Sequence, residues 1–202
     1  MEVLLIDDHP MLNAGIVSIL EQTRIFKVCA QAHSLKEAVS FIEKEKILPS
    51  LVILDMLLGD DNGLDFLPVL EDFCKKKNAP KPPVLVCSAL GDSFKIWTAL
   101  KLGAAGFLSK TSGKDELLKA INTILSGKVY ISSEVNIKLE ENSSAYAKFT
   151  KREIGVIDLL KANKSNKQIA AMLCINLRTV ENYISKIYFK TGFSSREEIQ
   201  KL

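Results

Sequence analysis

The sequence lacks the features that mark membrane, disulfide-rich and collagen-like proteins. No apolar run approaches the roughly 20 residues that a membrane-spanning helix needs, and the best candidate, residues 51–58, is interrupted by Asp55. The four cysteines lie far apart and form no Cys-x-x-Cys pair, so we expect reduced thiols rather than disulfides or a zinc site. The amino terminus lacks the basic start and long apolar segment of a signal peptide. We therefore expect a cytoplasmic globular protein without a membrane partner.

Positive charge is concentrated near the carboxyl terminus. Residues 1–128 carry 15 basic and 16 acidic side chains, whereas residues 149–202 carry ten basic and five acidic ones, a net charge of +5. This asymmetry favours a segment that faces nucleic acid, joined to a nearly neutral one. An ordinary solvated surface is the alternative interpretation.

Strand-like and helical patterns alternate in the first part of the chain. Five short apolar segments have the length of buried strands: residues 3–6, 26–30, 51–54, 84–87 and 106–108. The segments between them have apolar residues at helical spacing. We therefore predict an α/β domain over residues 1–126, with a doubly wound, five-stranded parallel sheet and helices on both faces.

The remainder of the chain has no strand pattern. Residues 127–147 are polar and aperiodic, which predicts a linker. Helical patterns return at 152–160, 166–173, 177–190 and 196–202. We predict a small all-α domain of four helices over residues 148–202.

Polar and charged residues end four of the five predicted strands: Asp7 and Asp8, Asp55, Ser88, and Lys110. The carboxyl ends of parallel strands meet at one edge, where doubly wound sheets bind ligands. Three carboxylates there repel one another unless a hard cation such as Mg²⁺ compensates. Any single acid is equally well explained as a loop residue, but the joint placement of all five residues predicts a site.

This set of groups suits phosphoryl transfer to an aspartate. Asp55 would attack phosphorus, while Mg²⁺ and Lys110 neutralise charge on the transferring oxygens. Ser88 would donate a hydrogen bond to a phosphoryl oxygen.

Residues 1–126 resemble a response-regulator receiver domain. The resemblance rests on residues 4–10 (LLIDDHP), Asp55 with Gly63 eight positions later, residues 88–89 (SA) and residues 103–110 (GAAGFLSK). It implies that Asp55 is the phosphoacceptor, that Asp8 binds Mg²⁺ directly and that Asp7 binds it through water. It also implies that a histidine kinase supplies the phosphoryl group and that Lys110 pairs with it. Ser88 and Phe107 would form a switch pair in which the ring turns inward; core packing is the alternative role of Phe107.

Three positions depart from the receiver pattern. Gly59 stands where the family usually has proline. Leu57 and Leu90 occupy positions that tune the access of water to the acyl phosphate in this family. Because both are apolar, we predict slow autodephosphorylation.

Residues 165–187 have the pattern of a helix-turn-helix. An amphipathic helix is followed by a turn at 174–176 and a second helix whose apolar residues Val180, Ile184 and Ile187 share one face. Without further detail such a pattern would indicate only a helical bundle. The outward residues of the second helix are of types that contact bases and phosphates in the major groove.

Residues 148–202 resemble a LuxR-type DNA-binding domain through the segments 150–153 (TKRE), 165–170 (SNKQIA), 179–181 (TVE) and 190–192 (KTG). We expect its DNA contacts to come from Ser165, Asn166, Lys167, Arg178, Thr179, Glu181, Asn182, Ser185, Lys186 and Lys190. The resemblance also implies a dimer contact through Ile199 and Leu202.

Together the two resemblances indicate a NarL/FixJ-type response regulator. Phosphorylation of Asp55 would control the formation of a homodimer and its sequence-specific binding to double-stranded DNA. One alternative is an atypical receiver that a partner or nucleotide ligand activates without phosphorylation. Another is an Mg²⁺-dependent phosphohydrolase of similar fold, although Leu57 stands where that class usually has a second acid.

Overall fold

The structure, a computed structural model, describes residues 1–44, 48–89, 93–132, 148–173, 175–199 and 202. The chain divides into two compact units, Met1–Lys138 and Leu139–Leu202. Within the described ranges, no helix is long and apolar enough to cross a membrane.

The first unit alternates strands with helices. Its strands are β1 (Glu2–Ile6), β2 (Lys27–Ala32), β3 (Leu51–Asp55), β4 (Leu57–Leu58), β5 (Asp61–Asn62), β6 (Val84–Ser88), β7 (Gly106–Ser109) and β8 (Tyr130–Ile131). Its helices are α1 (Pro10–Gln22), α2 (Leu35–Lys44), α3 (Phe66–Lys77), α4 (Ser93–Lys101) and α5 (Lys114–Leu125). Six strands form one parallel sheet in the order β2-β1-β3-β6-β7-β8, and β4 pairs with β5 in a short antiparallel hairpin.

The sheet is buried at its centre, as expected for parallel strands covered by helices on both faces. Every residue of β3 and β6 is buried, and β1 is exposed only at its first residue. The predicted doubly wound α/β class is confirmed. Because β1, β3, β6 and β7 run in the same direction, their carboxyl ends bring the predicted site residues to one edge.

The sheet has six strands rather than the predicted five. The added strand, β8, lies in the segment that we predicted to be linker, and it pairs with β7 through Gly106 and Phe107. A Cβ atom on Gly106 would lie 2.9 Å from the carbonyl oxygen of Tyr130. The missing side chain therefore lets the β8 backbone approach. Residues 133–147 of the predicted linker lie outside the described residues.

The second unit has the four predicted helices: α6 (Lys151–Lys161), α7 (Asn166–Met172), α8 (Leu177–Thr191) and α9 (Arg196–Ile199). Reciprocal capping boxes begin α6, with Thr150 and Glu153, and α7, with Ser165 and Gln168. Asn176 caps α8 by accepting a hydrogen bond from the amide of Thr179 at 2.8 Å. These local signals position α7 and α8 as a helix-turn-helix.

Candidate functional site

Acidic residues from two strand ends meet at the carboxyl edge of the sheet. Ligand atoms of Asp7, Asp8, His9 and Asp55 all lie within 4.8 Å of one another. Asp7 and Asp55 are buried, with 2% and 3% of their surfaces exposed, whereas Asp8 is partly exposed. The structure therefore brings the three predicted carboxylates together at a site that opens to solvent on one side.

Lys110 joins the two buried carboxylates. Its Nζ donates to Asp55 Oδ2 at 2.6 Å and lies 2.7 Å from Asp7 Oδ2. The backbone amide of Lys110 donates to the carbonyl oxygen of Ser88 at 2.8 Å, which fixes the end of β7 against β6. One ammonium group thus compensates two carboxylates, and a net negative charge remains at the site.

Burial and neighbouring charges shift the pKa values of these groups. Burial raises the pKa of Asp55, the hydrogen bond from Lys110 opposes this shift, and the charge of Asp7 adds to it. Burial would lower the pKa of Lys110, but its hydrogen bonds to Asp55 and Asp7 prevail and raise it above the ordinary 10.5. Lys110 therefore carries its positive charge at neutral pH.

The donor set suits Mg²⁺, which prefers oxygen ligands. Burial would raise the pKa of Asp8, but the hydrogen bond from the Gly59 amide and the charge of His9 outweigh it and lower the pKa. Asp8 Oδ1 lies 2.7 Å from His9 Nδ1, a pair that is ionic only if His9 is protonated. This contact lacks hydrogen-bond geometry, so the buried oxygen has no hydrogen-bond partner among the described residues. A carboxylate oxygen that makes no hydrogen bond, beside two further carboxylates, is suited to bind a hard cation.

Gly59 supports Asp8 in a way that proline would not. Its φ of +60° lies in the left-handed region that favours glycine. Its amide donates to Asp8 Oδ2 at 2.8 Å, and proline has no N–H to donate. The departure from the receiver pattern at this position therefore supplies a hydrogen bond to the site.

Two further residues near the site were not predicted from the sequence. His9 Nδ1 lies 3.1 Å from Asp7 Oδ1 and 3.3 Å from Lys110 Nζ. Buried Asn13, on α1, donates through Nδ2 to the carbonyl oxygen of Asp7 at 2.8 Å. The only available signal was their position shortly after the Asp7-Asp8 pair, which by itself indicates no role.

Ser88 and Phe107 lie on the adjacent strands β6 and β7. Both are buried, and Phe107 has no exposed surface. Phe107 pairs in register with Val86 on one side and with Ile131 of β8 on the other. The aromatic ring is therefore fully buried in this structure. Leu57 is half exposed beside the site, and Leu90 lies outside the described residues.

The second unit presents a polar face on α8. Val180 and Ile187 are fully buried and anchor one side of the helix, while the predicted core residue Ile184 is half-buried. Seven of the predicted DNA-contact residues are exposed: Ser165, Lys167, Arg178, Glu181, Asn182, Ser185 and Lys186. This surface offers hydrogen-bond donors, acceptors and positive charge to a ligand.

Three other predicted DNA-contact residues are partly buried and take part in contacts within the unit. Asn166 accepts a hydrogen bond from Arg196 at 3.1 Å, and the hydroxyl of Thr179 donates to Asn176 at 2.8 Å. Lys190 Nζ donates to Glu153 Oε2 at 2.6 Å.

The Lys190–Glu153 pair joins the start of α6 to the end of α8. Burial would raise the pKa of Glu153, but hydrogen bonds from Lys190 and Thr150 prevail and lower it. The ammonium group of Lys190 also lies 5.9 Å from the centre of the Phe149 ring. These contacts give Lys190 a structural role within the unit.

The expected dimer contact through Ile199 needs correction. Ile199 has no exposed surface because α9 packs against α6 and directs this side chain into the core of the unit. Leu202 is partly exposed. Ile199 therefore stabilises the monomeric fold and is not available to a partner chain.

Comparisons with known families match both units. Residues 3–122 match the family model described as response regulator receiver domain, and residues 147–202 match bacterial regulatory proteins, luxR family. The chain is 33% identical over 199 residues to the nitrate/nitrite response regulator protein homolog of Haemophilus influenzae, covering 97% of this chain and 92% of that protein. It is 28% identical over 205 residues to the transcriptional regulatory protein LiaR of Bacillus subtilis, covering 98% and 94%.

Solved structures share the fold. RcsB of Salmonella enterica serovar Typhimurium, bound to promoter rprA in the presence of the phosphomimetic BeF3⁻, matches with a TM-score of 0.74 at 20% identity, covering all of this chain and 96% of that one. The response regulator ChrA of a heme-sensing two-component system matches with a TM-score of 0.53 at 27% identity, covering 99% and 94%.

These matches span the chain and separate it from enzymes of similar fold, so the phosphohydrolase alternative is set aside. The two relatives are named as a transcriptional regulatory protein and a response regulator, and each match covers more than nine-tenths of both chains. The chain belongs to the two-component response regulators that join a receiver domain to a LuxR-type DNA-binding domain.

Proposed function

We propose that Asp55 accepts a phosphoryl group from a histidine kinase. The observation that carries this proposal is the contact of Lys110 Nζ with both Asp55 and Asp7, at 2.6 and 2.7 Å, beside the partly exposed Asp8. A carboxylate oxygen of Asp55 forms a bond to phosphorus. The bond between phosphorus and the donor nitrogen of a phosphohistidine breaks, and the leaving group keeps the electron pair.

The surrounding residues stabilise the charge that develops in this transfer. Lys110 neutralises negative charge on the phosphoryl oxygens and orients the Asp55 carboxylate. Asp7, Asp8 and Asp55 would hold Mg²⁺, which supplies a further positive charge to the phosphoryl oxygens. Ser88, at the end of the adjacent strand, donates a hydrogen bond from its hydroxyl group to a phosphoryl oxygen.

The intact mass of the full chain after incubation with acetyl phosphate and Mg²⁺ tests the acceptor. We expect the wild-type chain to gain one phosphoryl group and Asp55→Ala to gain none. Asp61→Asn is the matched control, because it removes an exposed carboxylate from the neighbouring β5 and should leave the gain unchanged. An equal gain in Asp55→Ala would place the acceptor elsewhere.

We propose further that the exposed face of α8 binds the major groove of double-stranded DNA. Arg178 and Asn182 have side chains that bond base edges, and Lys186 contacts phosphate. The net charge of +5 in residues 149–202 attracts the phosphate backbone. Lys190 is not included in this proposal because its ammonium group donates to Glu153.

The salt dependence of binding to a duplex selected from a random-sequence library tests this surface. Lys167 is exposed next to the start of α7, and Lys167→Ala should reduce the slope of log affinity against log salt by about 1. Lys27→Ala removes the same charge from β2 in the other unit and should leave the slope unchanged. Equal slopes in all three proteins would exclude Lys167 from the phosphate contacts.

We propose that phosphorylation favours a homodimer with high affinity for DNA. The phosphoryl group would stabilise one arrangement of Ser88 and Phe107, and so shift the population of the receiver towards its active state. DNA affinity and sedimentation of the wild-type chain, with and without the phosphoryl group, test this coupling. Equal affinity in both states, together with normal binding by Asp55→Ala, would favour activation by a partner or nucleotide ligand instead.

A further inference from the structure

One apolar side chain stands out on the proposed DNA-binding helix. Phe189 lies near the end of α8 and has 91% of its surface exposed. A phenyl ring in water exposes a large apolar area, and aromatic residues of this size usually bury most of it. Among the described residues of the unit, no contact explains why a phenylalanine occupies this position.

Helical geometry places Phe189 in line with the other groups of the α8 face. At 100° per residue, Arg178, Asn182, Ser185 and Phe189 lie within a sector of roughly 60°, and all four are exposed. Buried Val180 lies on the opposite side of the helix, nine residues before Phe189. The ring therefore extends the line of residues that faces DNA.

The residues around Phe189 do not favour a protein partner as the molecule that covers its ring. On the helix surface the ring is flanked by exposed Ser185 and Lys186, one turn before it. A stable dimer contact buries about 800 Å² on each chain, whereas one aromatic side chain supplies about 200 Å². Exposed Leu177 lies about 100° away from the line and does not extend the apolar area.

We propose that Phe189 contacts the methyl group of a thymine in the major groove and contributes to the sequence specificity of this protein. The inference rests on the proposed binding of DNA by α8. Phenylalanine is one of the residues that recognise the 5-methyl group, the one apolar feature of the base edges in that groove. Phe189 lies about 6 Å along the helix axis from Ser185, a separation of about one to two base pairs for a helix that lies in the major groove. The contacted thymine should lie at about that distance from the base that faces Ser185.

Substitution of deoxyuridine for thymine tests this contact, because it removes only the methyl group. The probe is a duplex that the full-length wild-type chain selects from a random-sequence library, remade with each thymine in turn replaced. We expect a loss of roughly fourfold in affinity at one or two positions. Phe189→Ala should bind the original duplex roughly tenfold more weakly and show no further loss at those positions.

Two controls separate this contact from other roles of the ring. Met172→Ala changes another exposed apolar residue, on α7, and should keep wild-type affinity and sensitivity to deoxyuridine. Far-ultraviolet circular dichroism checks that Phe189→Ala keeps its helices, and sedimentation compares its oligomeric state with that of the wild-type chain.

Each outcome supports or overturns the proposal. Equal affinity of Phe189→Ala and the wild-type chain overturns it, as does unchanged sensitivity to deoxyuridine in the variant. A shift of Phe189→Ala from dimer to monomer with unchanged deoxyuridine sensitivity would assign the ring to a second copy of the chain. If the wild-type chain selects no duplex, the proposed DNA-binding function itself fails, which is a different result from loss of the Phe189 contact.

Discussion

Substitution of Gly63 by alanine should displace the backbone of the phosphoacceptor. A Cβ atom at position 63 would lie 2.0 Å from the carbonyl oxygen of Asp55 and 3.2 Å from the carbonyl carbon of Met56. Both atoms belong to the backbone, so no side-chain rotation relieves the overlap. The amide of Gly63 also donates to the carbonyl oxygen of Met56 at 2.8 Å, which holds the two segments together.

The size of the effect follows from this overlap. Real Cβ atoms essentially never approach within 3.0 Å of another atom, so the backbone at Asp55 or Gly63 must move by about 1 Å. Overpacking of this kind destabilises a protein by roughly 1 to 3 kcal/mol. A displacement of Asp55 by that distance also breaks its 2.6 Å hydrogen bond to Lys110. We expect Gly63→Ala to lower both stability and the rate of phosphorylation.

Two measurements on the full chain check this prediction. Trp97 is the single tryptophan and lies in α4, so its fluorescence during urea unfolding follows the first unit. Intact mass after timed incubation with acetyl phosphate gives the phosphorylation rate. Gly15→Ala is the matched control: it has open space around its Cβ and lies within α1, so it should stabilise the unit by up to about 1 kcal/mol. If Gly63→Ala keeps the unfolding midpoint and the phosphorylation rate of the wild-type chain, the predicted overlap with the Asp55 backbone does not occur.

Three further changes probe the edge strand, the capping pair and the phosphoryl group. Gly106→Ala places a Cβ 2.9 Å from the carbonyl oxygen of Tyr130, so amide hydrogen exchange in β8 should accelerate; unchanged exchange would contradict this. The pKa of Glu153 is lowered on folding, so its stabilisation is present above about pH 4.5 and is lost as pH falls through the folded pKa. As pH falls, the free energy of unfolding of the helical unit should decrease less steeply in Glu153→Gln than in the wild-type chain. The exposed control Glu181→Gln should keep the wild-type pH dependence. The same pH dependence in all three proteins would contradict a role of Glu153 in acid unfolding. Leu57→Asn places an amide beside the acyl phosphate and should shorten its lifetime, as measured by loss of the phosphoryl mass after desalting; an equal or longer lifetime would count against slow autodephosphorylation through Leu57.

Local patterns in the sequence were enough to predict several features of the fold and of the site. Alternating strand and helix periodicities predicted the α/β class because a buried parallel sheet needs apolar strands and amphipathic helices in that order. The capping residues that begin α7, Ser165 and Gln168, are three positions apart and satisfy each other's backbone groups. Asp7, Asp55 and Lys110 were located because each directly follows or ends an apolar strand.

Contacts between distant segments depend on the three-dimensional fold and could not be predicted from local patterns. β8 is two residues long and has no periodicity to detect; it forms because Gly106 leaves room for its backbone. In the sequence, Lys190 could not be distinguished from a lysine that binds DNA. In the structure, its ammonium group donates to the buried carboxylate of Glu153, 37 positions earlier. Ile199 was expected at a dimer contact and instead completes the core of the helical unit. A side chain's role in these cases depends on which groups the fold places beside it, because burial and pairing decide whether a charge or an apolar surface remains available to a partner.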